Sequence, residues 1–577
     1  MLKPLTYTFS RLKRLLANPA ELPGLLSRSL ELLRHQGYSG LLQGFRRDRQ
    51  ALEILAGGQP GPWRQEYQQW IEQEERRDFP ASDSSWPGIC LVLLVGKDGS
   101  DLIDSTIDSV LAQTNKRWQL ILVGDGAASF ESRQVDTRIE ISPITSDQFL
   151  KQPTQLFDSI EAEFLLILEP GHCLAPHALA LVCRAFADNQ ATLLCYSDED
   201  LIDNLGQRSS PCFKPDCDPL LLMGQNFIGG LAAYSTQFVR SLNLPSGGTV
   251  EELQWQWALK ACQQPERVVH LALILFHRKK RGLITKLDSS CSHAHFLLPE
   301  SPPLVSIIIP THNGHDILKR CLDSITGYTK YQNVEIIVVD NGSNEPESLA
   351  YLKALGNQRR TKVLIYDKPF NYSAINNFAA RQAQGELLCF MNNDVEVSSA
   401  DWLGQMLAHT LQPQVGAVGA MLYYPDQTIQ HAGIAVGVSP GGAGGVAANA
   451  FCGLPRGFQG QGGRLQFSQR VSAVTGACLL VRQQVFEEVG GFDQENLPIT
   501  FNDVDLCLRL EEMGMITVFT PWAELYHHES KSRGMDDSSD KQVRFGKEVL
   551  YMRQRWGDRL TYDPAFPRGE LSLTEFF

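Results

Sequence analysis

Two stretches of this 577-residue chain share one pattern: ICLVLLVGKDGSDLIDSTIDSVLAQTNKRWQLILVGDGA (Ile89–Ala127) and VSIIIPTHNGHDILKRCLDSITGYTKYQNVEIIVVDNGS (Val305–Ser343). Each reads as an apolar strand, a loop, an amphipathic helix and a second apolar strand. Aligning Asp125 with Asp340 superposes three further pairs without a gap: Asp101 on Asp316, Asp108 on Asp323, and Ser109 on Ser324. Strands that are apolar throughout are typical of a parallel sheet covered on both faces. The sequence therefore predicts two copies of a βαβ unit.

Each copy continues into a further apolar strand, at Phe164–Leu168 and Leu387–Met391. We therefore predict an α/β fold class: two tandem domains with Rossmann-like, mostly parallel sheets, preceded by a helical arm. The predicted regions are a basic helical N-terminal arm (1–80), a first domain (86–280), a linker (281–302), a second domain (303–534), and a C-terminal helix and tail (535–577). Ligands of such sheets bind beyond the carboxyl ends of the strands.

Composition narrows the class of protein. Hydrophobic residues make up 43% and charged residues 20%, which is typical of a globular protein. A net charge of -13 argues against nucleic acid as a partner. The 13 cysteines are scattered without a Cys-x-x-Cys pair, which favours reduced, buried thiols. No apolar stretch reaches the roughly 20 residues of a membrane span, and the N-terminus lacks the core of a signal peptide, so we expect a cytoplasmic protein.

Two segments each fit two interpretations. The N-terminal arm places many arginines among leucines, which suits either a peripheral contact with the inner face of the cytoplasmic membrane or a helical cap on the first domain. The glycine-rich stretch Gly441–Gly463 fits either a mobile lid over an acceptor or plain disorder.

Three polar stretches of the second domain are candidates for chemistry. Asn392–Asp394 follows an apolar strand and suits either a divalent cation held against a diphosphate or a turn. Asn502–Asp505 precedes a helical pattern and suits either a general base or a helix cap. Tyr526–Gly534 contains two histidines, which could complete a metal site, beside Lys531 and Arg533, which could hold phosphate oxygens.

Taken together, these motifs resemble the family 2 glycosyltransferases. The resemblance is carried by VSIIIPTHN, EIIVVDNGS, GELLCFMNNDVEV, VTGACLLVR, ITFNDVDLCLRL and YHHESKSRG, and it covers roughly Leu304 to Gly534. It is strongest to bacterial rhamnosyltransferase-like enzymes of O-antigen and exopolysaccharide assembly. The resemblance implies a GT-A fold, a nucleotide-diphosphate sugar donor, Mg²⁺ or Mn²⁺, a glycan or lipid-linked glycan acceptor, and inversion at the anomeric carbon. The sugar it suggests is rhamnose.

The resemblance also implies roles for single residues. Asp503 corresponds to the catalytic base, and Asp394 and His528 to the metal ligands. The expected nucleotide-sugar contacts are Pro310, Thr311, Asn313, Asp340, Asn392, Lys531 and Arg533. The expected acceptor-side wall is Thr475, Gly476 and Ala477. The sequence departs from the family pattern at Asn392 and Asn502, which stand where an aspartate and a glutamate are usual.

The first domain lacks the same groups. Alignment of the two copies puts Gly171 opposite Asp394, Glu252 opposite Asp503, and Arg278 opposite His528. We therefore predict a degenerate first copy that serves packing, acceptor binding or partner contact. The acidic run Asp198–Asp200 is expected to form an exposed loop rather than a cation site.

Two other functions compete with glycosyl transfer. A sugar nucleotidyltransferase would need a glycine-rich loop bearing Arg or Lys after its first strand, and Pro310–Gly314 offers no such cation. A non-catalytic scaffold or glycan-binding protein would suit the first domain. Such a protein would not need Asp394, Asp503 and His528 in the second.

Overall fold

The computed structural model describes residues 67–73, 79, 83, 85–96, 102–128, 130, 136–203, 205–242, 248–279, 298–439, 442–528 and 539–567. The chain divides into two compact units, one holding the described residues between 67 and 279 together with 564–567, the other holding 298–563. Most of the predicted arm and linker, as well as Lys531 and Arg533, lie outside the described residues. Among those described, no helix is long and apolar enough to cross a membrane.

The first unit is built on a nine-stranded sheet in the order β3-β2-β1-β4-β8-β6-β9-β5, with β7 paired to β6. Its strands are β1 Ile89–Leu94, β2 Trp118–Val123, β3 Ile139–Ile141, β4 Phe164–Leu168, β5 Cys173–Leu174, β6 Leu194–Ile202, β7 Arg208–Cys212, β8 Ala232–Ser235 and β9 Val268–Lys279. Its helices are α1 Leu102–Leu111, α2 Ser146–Lys151, α3 Thr154–Phe157, α4 Ala178–Asp188, α5 Pro219–Gly224, α6 Thr236–Ser241 and α7 Val250–Ala261, with a 3₁₀ turn at Pro265–Arg267.

The second unit is built on a ten-stranded sheet in the order β12-β11-β10-β13-β20-β15-β21-β14, with β16 paired to β15 and β19 to β21. The strands are β10 Val305–Thr311, β11 Val334–Asp340, β12 Thr361–Ile365, β13 Leu387–Met391, β14 Val395–Val397, β15 Val415–Tyr423, β16 Ile429–His431, β17 Ile434–Ser439, β18 Gly442–Asn449, β19 Gln469–Val471, β20 Cys478–Arg482 and β21 Ile516–His527. The helices are α8 His315–Tyr328, α9 Pro346–Leu355, α10 Tyr372–Ala380, α11 Trp402–Thr410, α12 Gln483–Glu488, α13 Asn502–Glu512 and α14 Ser539–Trp556, with 3₁₀ turns at Gln461–Gln466 and Arg559–Thr561.

The two sheets repeat one strand order, which confirms the internal repeat and the α/β fold class. Ile89 pairs with Trp118 and Val305 pairs with Val334, so partners on the first two strands are equally far apart along the chain in both copies. The sheets are more mixed than expected. The strands read from the sequence run parallel, but β8 and β20 join them antiparallel.

Burial on both faces of the sheet explains why the strands read as continuously apolar. In β1, Leu91 and Leu93 belong to one hydrophobic cluster while Cys90 and Val92 belong to another, because successive side chains of a strand point to opposite faces. Helices α1 and α4 pack on the first cluster, and α3 and α7 on the second. The first unit is therefore a three-layer α/β/α sandwich.

The glycine-rich stretch is more regular than either interpretation of its sequence supposed. Gly442–Asn449 forms β18, which pairs antiparallel with β17 as a hairpin. Val436 of this hairpin donates its backbone N–H to the buried carboxylate of Asp563, at 2.7 Å. The first part of the stretch is thus one strand of a hairpin that contacts the C-terminal segment.

Candidate active site

The first part of the candidate site lies at the carboxyl ends of β10 and β11. Thr311 and Asp340 are partners across these parallel strands. The Asp340 Oδ1 atom accepts the backbone N–H of Ser343 at 2.9 Å, which fixes the loop after β11. The Thr311 hydroxyl accepts from the Asn393 side chain at 3.0 Å, so β13 joins the same edge of the sheet.

Asn313 connects two loops at this edge of the sheet. Its backbone has a φ of 51°, in the left-handed region, and the following Gly314 has a φ of 63°. Its side-chain oxygen accepts the backbone N–H groups of Asn344 and Glu345 at 2.9 and 3.1 Å. The loops after β10 and β11 are therefore tied together by Asn313, whose contact with a nucleotide remains a prediction.

The second part of the site joins Asp394 to His527. The His527 Nε2 atom lies 3.0 Å from Asp394 Oδ1 and 3.3 Å from Asn392 Nδ2, while its Nδ1 atom lies 2.7 Å from Gln430 Oε1. Asp394 and His527 are both buried. Their chain segments meet because Val395 of β14 pairs with His527 of β21.

The donor atoms of this pair suit a shared cation. If Gln430 accepts the Nδ1 proton, the neutral imidazole turns its Nε2 lone pair toward the Asp394 carboxylate. The 3.0 Å separation is also that of an N–H···O hydrogen bond from the other tautomer, and a carboxylate oxygen with an imidazole nitrogen is a donor set that divalent metals accept. Among the described residues no group of three or more His, Cys, Asp or Glu side chains is placed to hold a metal. The remaining positions would fall to phosphate oxygens.

His528, which the sequence favoured as the metal ligand, faces another group. Its Nε2 atom lies 2.8 Å from Glu396 Oε2, and its backbone N–H donates to the carbonyl oxygen of Asp394 at 2.9 Å. Adjacent residues at a strand end point to opposite faces, so only one of the two histidines can turn toward the Asp394 carboxylate. The geometry favours His527.

The third part of the site is the carboxyl group of Asp503, in the first turn of α13. Its Oδ2 atom accepts the backbone N–H of Gly476 at 2.8 Å, and its Oδ1 atom accepts that of Val504 at 2.9 Å. Burial raises the pKa of Asp503, against the opposing effect of these backbone donors and of the Thr475 hydroxyl. A carboxylate with a raised pKa is suited to accept a proton.

The loop Thr475–Ala477 connects Asp503 to Asn392, two residues before the metal-ligand candidate Asp394. Gly476 contacts Asp503, and the carbonyl oxygen of Ala477 accepts the backbone N–H of Asn392 at 3.1 Å. The Tyr372 hydroxyl donates to the carbonyl oxygen of Gly476 at 2.8 Å and holds the loop from α10. The loop expected to form the acceptor-side wall thus bridges the other two parts of the site.

The other polar residues beside Asp503 are structural. Asp505 is fully buried and accepts from Arg509 and from the Trp556 indole at 2.7 and 3.0 Å. The Asn502 side chain donates to the carbonyl oxygen of Ile499 at 2.9 Å. Neither caps α13, whose N-cap position is Phe501.

Two contributors escaped the sequence interpretation, Tyr372 and Gln430, and of the two histidines it gave the ligand role to His528. Tyr372 lies in NYSAINN (Asn371–Asn377), a polar run in a helix, which was a usable signal because its Asn and Ser side chains bond to distant backbone. Gln430 sits on the short strand β16 and carries no signal of its own.

In the first unit, the corresponding positions have structural roles. Glu252 completes a capping box with Thr249 at the start of α7, and both hydrogen bonds of the box are present. Gly171 has a φ of 90° and donates its N–H to the Thr106 hydroxyl at 2.9 Å. Neither residue is available for the chemistry of its counterpart.

The run Asp198–Asp200 does not form the exposed loop that its sequence predicted. It lies in β6, and Asp198 and Asp200 are 1% exposed. Each carboxylate has partners. Asp198 contacts His270, Glu199 contacts Lys214 and Arg278, and Asp200 contacts Arg208, His277 and Tyr67. Buried carboxylates require such compensation, so this is an internal network of ion pairs and hydrogen bonds.

Comparison with known proteins identifies a family for part of the chain. Residues 306–490 match the family described as glycosyl transferase family 2. The chain is 35% identical over 535 residues to protein y4gI of Sinorhizobium fredii (85% of this chain, 58% of that protein) and 32% identical over 490 residues to the O-antigen biosynthesis protein RfbC of Myxococcus xanthus (78% and 38%). It is 26% identical over 265 residues to an N-acetylglucosaminyl-diphospho-decaprenol L-rhamnosyltransferase of Mycobacterium tuberculosis (44% and 85%).

The chain spans about half the length of the first two of these relatives. The family match falls wholly within the second unit and includes Asp340, Asp394 and the Thr475–Ala477 loop. The second α/β unit of this chain therefore carries a glycosyl transferase family 2 domain.

Proposed function

We propose that the second unit transfers a sugar from a nucleotide-diphosphate donor to a hydroxyl group of a glycan or lipid-linked glycan, with inversion at the anomeric carbon. The observation that carries this proposal is that one loop, Thr475–Ala477, contacts both the Asp503 carboxylate and the backbone of Asn392, two residues before the Asp394 that lies against His527. A pair suited to a cation and a carboxylate suited to a proton are the two groups that such a transfer needs.

In this mechanism Asp503 accepts the proton of the acceptor hydroxyl as the oxygen attacks the sugar. Its raised pKa favours proton uptake, and the N–H groups of Gly476 and Val504 fix the direction of the carboxylate. The acceptor oxygen attacks from the face opposite the leaving group, and this single displacement inverts the anomeric centre. No covalent intermediate is required.

Asp394 and His527 would hold Mg²⁺ or Mn²⁺, and Gln430 would orient the imidazole for this task. When bound, the ion supplies positive charge at the departing diphosphate. Asp340 and Thr311 would bind the nucleoside part at the ends of β10 and β11, next to Asn393. Asn392, Pro310, Lys531 and Arg533 stay candidates for further donor contacts.

The relatives support a place in bacterial surface polysaccharide synthesis. One is named for O-antigen biosynthesis, and another for transfer of L-rhamnose to a diphospho-decaprenol lipid. We propose the same classes of substrate here: a deoxysugar donor such as dTDP-rhamnose, and an acceptor that is a glycan or lipid-linked glycan. Peripheral contact with a membrane through the N-terminal arm belongs to the same proposal.

The test is a screen of nucleotide sugars for release of nucleoside diphosphate that depends on Mn²⁺ and on an acceptor. Asp503→Asn keeps the shape of the side chain but removes the base, so we expect a loss of about 100-fold or more in kcat. The matched control is Glu252→Gln, which alters the counterpart position in the first unit and should leave kcat unchanged. Full activity of Asp503→Asn would remove this residue from the mechanism.

A further inference from the structure

The loop that leads to Asp503 contains an unfavourable backbone conformation. Phe501, two residues before Asp503, has a φ of 60° and a ψ of 6°, in the left-handed region that bulky residues avoid. A residue in such a conformation persists only where surrounding contacts hold it. The position of Asp503 therefore depends on what fixes residues 493–501.

One side of this loop is held by α10. The Ser373 hydroxyl donates to the carbonyl oxygen of Leu497 at 2.5 Å, and its backbone N–H donates to that of Pro498 at 3.2 Å. The Asn377 side chain bonds to the backbone of Phe492 at 2.8 and 3.0 Å. These contacts involve loop residues up to Pro498. The next two residues, Ile499 and Thr500, are contacted by a different helix.

The other side is held by α14. The Glu548 Oε1 atom accepts two backbone N–H groups, those of Ile499 at 3.0 Å and Thr500 at 3.1 Å. Glu548 is 1% exposed, although it lies on a helix with a largely polar sequence. A buried carboxylate is costly, and this one contacts the two peptide groups just before Phe501.

Three further contacts join α14 to the same segment. The Tyr551 hydroxyl donates to Asp493 Oδ2 at 2.7 Å, and the Trp556 indole donates to Asp505 at 3.0 Å. The Phe545 ring packs on Phe501, with ring centroids 5.8 Å apart. Helix α14 thus contacts the segment on both sides of Asp503.

We propose that α14 is a brace for the catalytic base and that Glu548 is the positioning residue at its centre. The inference rests on the proposed function of Asp503. Glu548 touches no reacting atom. It fixes the peptide groups of Ile499 and Thr500, so that Phe501 keeps its conformation and Asp503 stays against Gly476.

Kinetics of the full chain test this role. Glu548→Ala removes the acceptor of both N–H groups, and we expect kcat to fall about 10- to 100-fold while the donor KM changes less than about twofold. Glu548→Gln keeps an oxygen that accepts both N–H groups and should restore kcat to within about threefold of the original. The matched control is Arg544→Gln, which removes the cation whose Nε atom lies 3.5 Å from Glu548 Oε2 but keeps both N–H contacts, and should leave kcat unchanged.

Hydrogen exchange of the backbone amides gives a readout that needs no activity. In Glu548→Ala, the amides of residues 497–504 should exchange faster, whereas those of Glu548→Gln and Arg544→Gln should keep their protection. If Glu548→Ala does not fold, Tyr551→Phe removes a single hydroxyl from the same brace and should lower kcat about threefold.

The inference is overturned if folded Glu548→Ala, or Tyr551→Phe in its place, keeps the original kcat and amide protection. It is also overturned if the loss appears in the donor KM and not in kcat. Failure of the proposed function looks different: the original chain would transfer no sugar from any donor, while the exchange comparison would still report whether Glu548 holds the loop.

Discussion

At the scale of single residues, the pKa of Asp503 gives a testable pH dependence. Burial raises this pKa, and the N–H groups of Gly476 and Val504 oppose the rise only in part. Because only the ionised carboxylate can accept a proton, kcat/KM should fall as the pH drops through a value above the ordinary aspartate pKa of about 3.9. Measuring kcat/KM from pH 4 to 8 at saturating Mn²⁺ checks this, and a profile flat down to the ordinary value would contradict it.

The two histidines at the end of β21 give a second prediction at this scale. His527→Ala should abolish stimulation by Mn²⁺ and lower kcat/KM about 100-fold, because it removes one of two candidate metal ligands. His528→Ala removes only the contact with Glu396 and should cost less than about tenfold. Titration of both variants with Mn²⁺ distinguishes them. The reverse order of effects would return the ligand role to His528.

Single residues also show how much of the site could be predicted from the sequence. Asp394, Asp503 and the Thr475–Ala477 loop could be identified because each stands in a motif of distinctive order. The choice between His527 and His528 could not be made, because it depends on the pairing of Val395 with His527 across residues far apart in the chain. The hydrogen bonds that the Asn313 side chain accepts from backbone N–H groups of the neighbouring loop could not be predicted from the sequence either.

At the scale of elements, a glycine in the β17–β18 hairpin gives a third prediction. Gly437 has a φ of 76°, and a Cβ atom there would lie 2.1 Å from the carbonyl oxygen of Leu560. Gly490 has a φ of 87° with nothing within 4 Å, so it is a matched control for the backbone conformation alone. We expect Gly490→Ala to lower the free energy of unfolding by about 1 kcal/mol and Gly437→Ala by about 3 kcal/mol or more. Urea unfolding measures both, and equal losses would contradict the steric argument.

The elements that sequence predicted well are those with uninterrupted apolar patterns. Strands β1, β2, β10 and β11 are buried on both faces, so their sequences alone identify them. Strand β6 was missed because three consecutive acids are read as solvated. Their partners, among them Lys214 and His277, come from segments well separated in the sequence. The residues around the three acids therefore do not indicate that their charges are compensated.

At the scale of the whole molecule, the ion pairs of the first unit give a fourth prediction. Burial opposes ionisation of Glu199, but the charges of Lys214 and Arg278 hold its pKa at about 2. Glu199→Ala would leave both cations without this partner and should destabilise the first unit by about 3 to 5 kcal/mol. The stabilisation is present above the unfolded-state pKa and is lost as the pH falls toward 2.

Urea unfolding of Glu199→Ala measures this loss, and transfer activity at a temperature where both units are folded supplies the control. We expect the activity to persist, since Asp394, His527 and Asp503 all belong to the second unit. Loss of transfer in a folded variant would mean that the first unit takes part in the reaction.

The ion pairs around Glu199 also limit which substitutions could restore metal-binding residues in the first unit. An aspartate introduced at Gly171 would have Arg278 at the place of His527, because His277 pairs with Cys173 as Tyr526 pairs with Glu396, and this cation would repel an incoming divalent ion. Removing Arg278 or Lys214 first would leave Glu199 short of a partner in a poorly hydrated place. Removal of either cation should therefore destabilise the first unit, so the ion pairs that stabilise its interior also oppose a return of the first copy to metal binding.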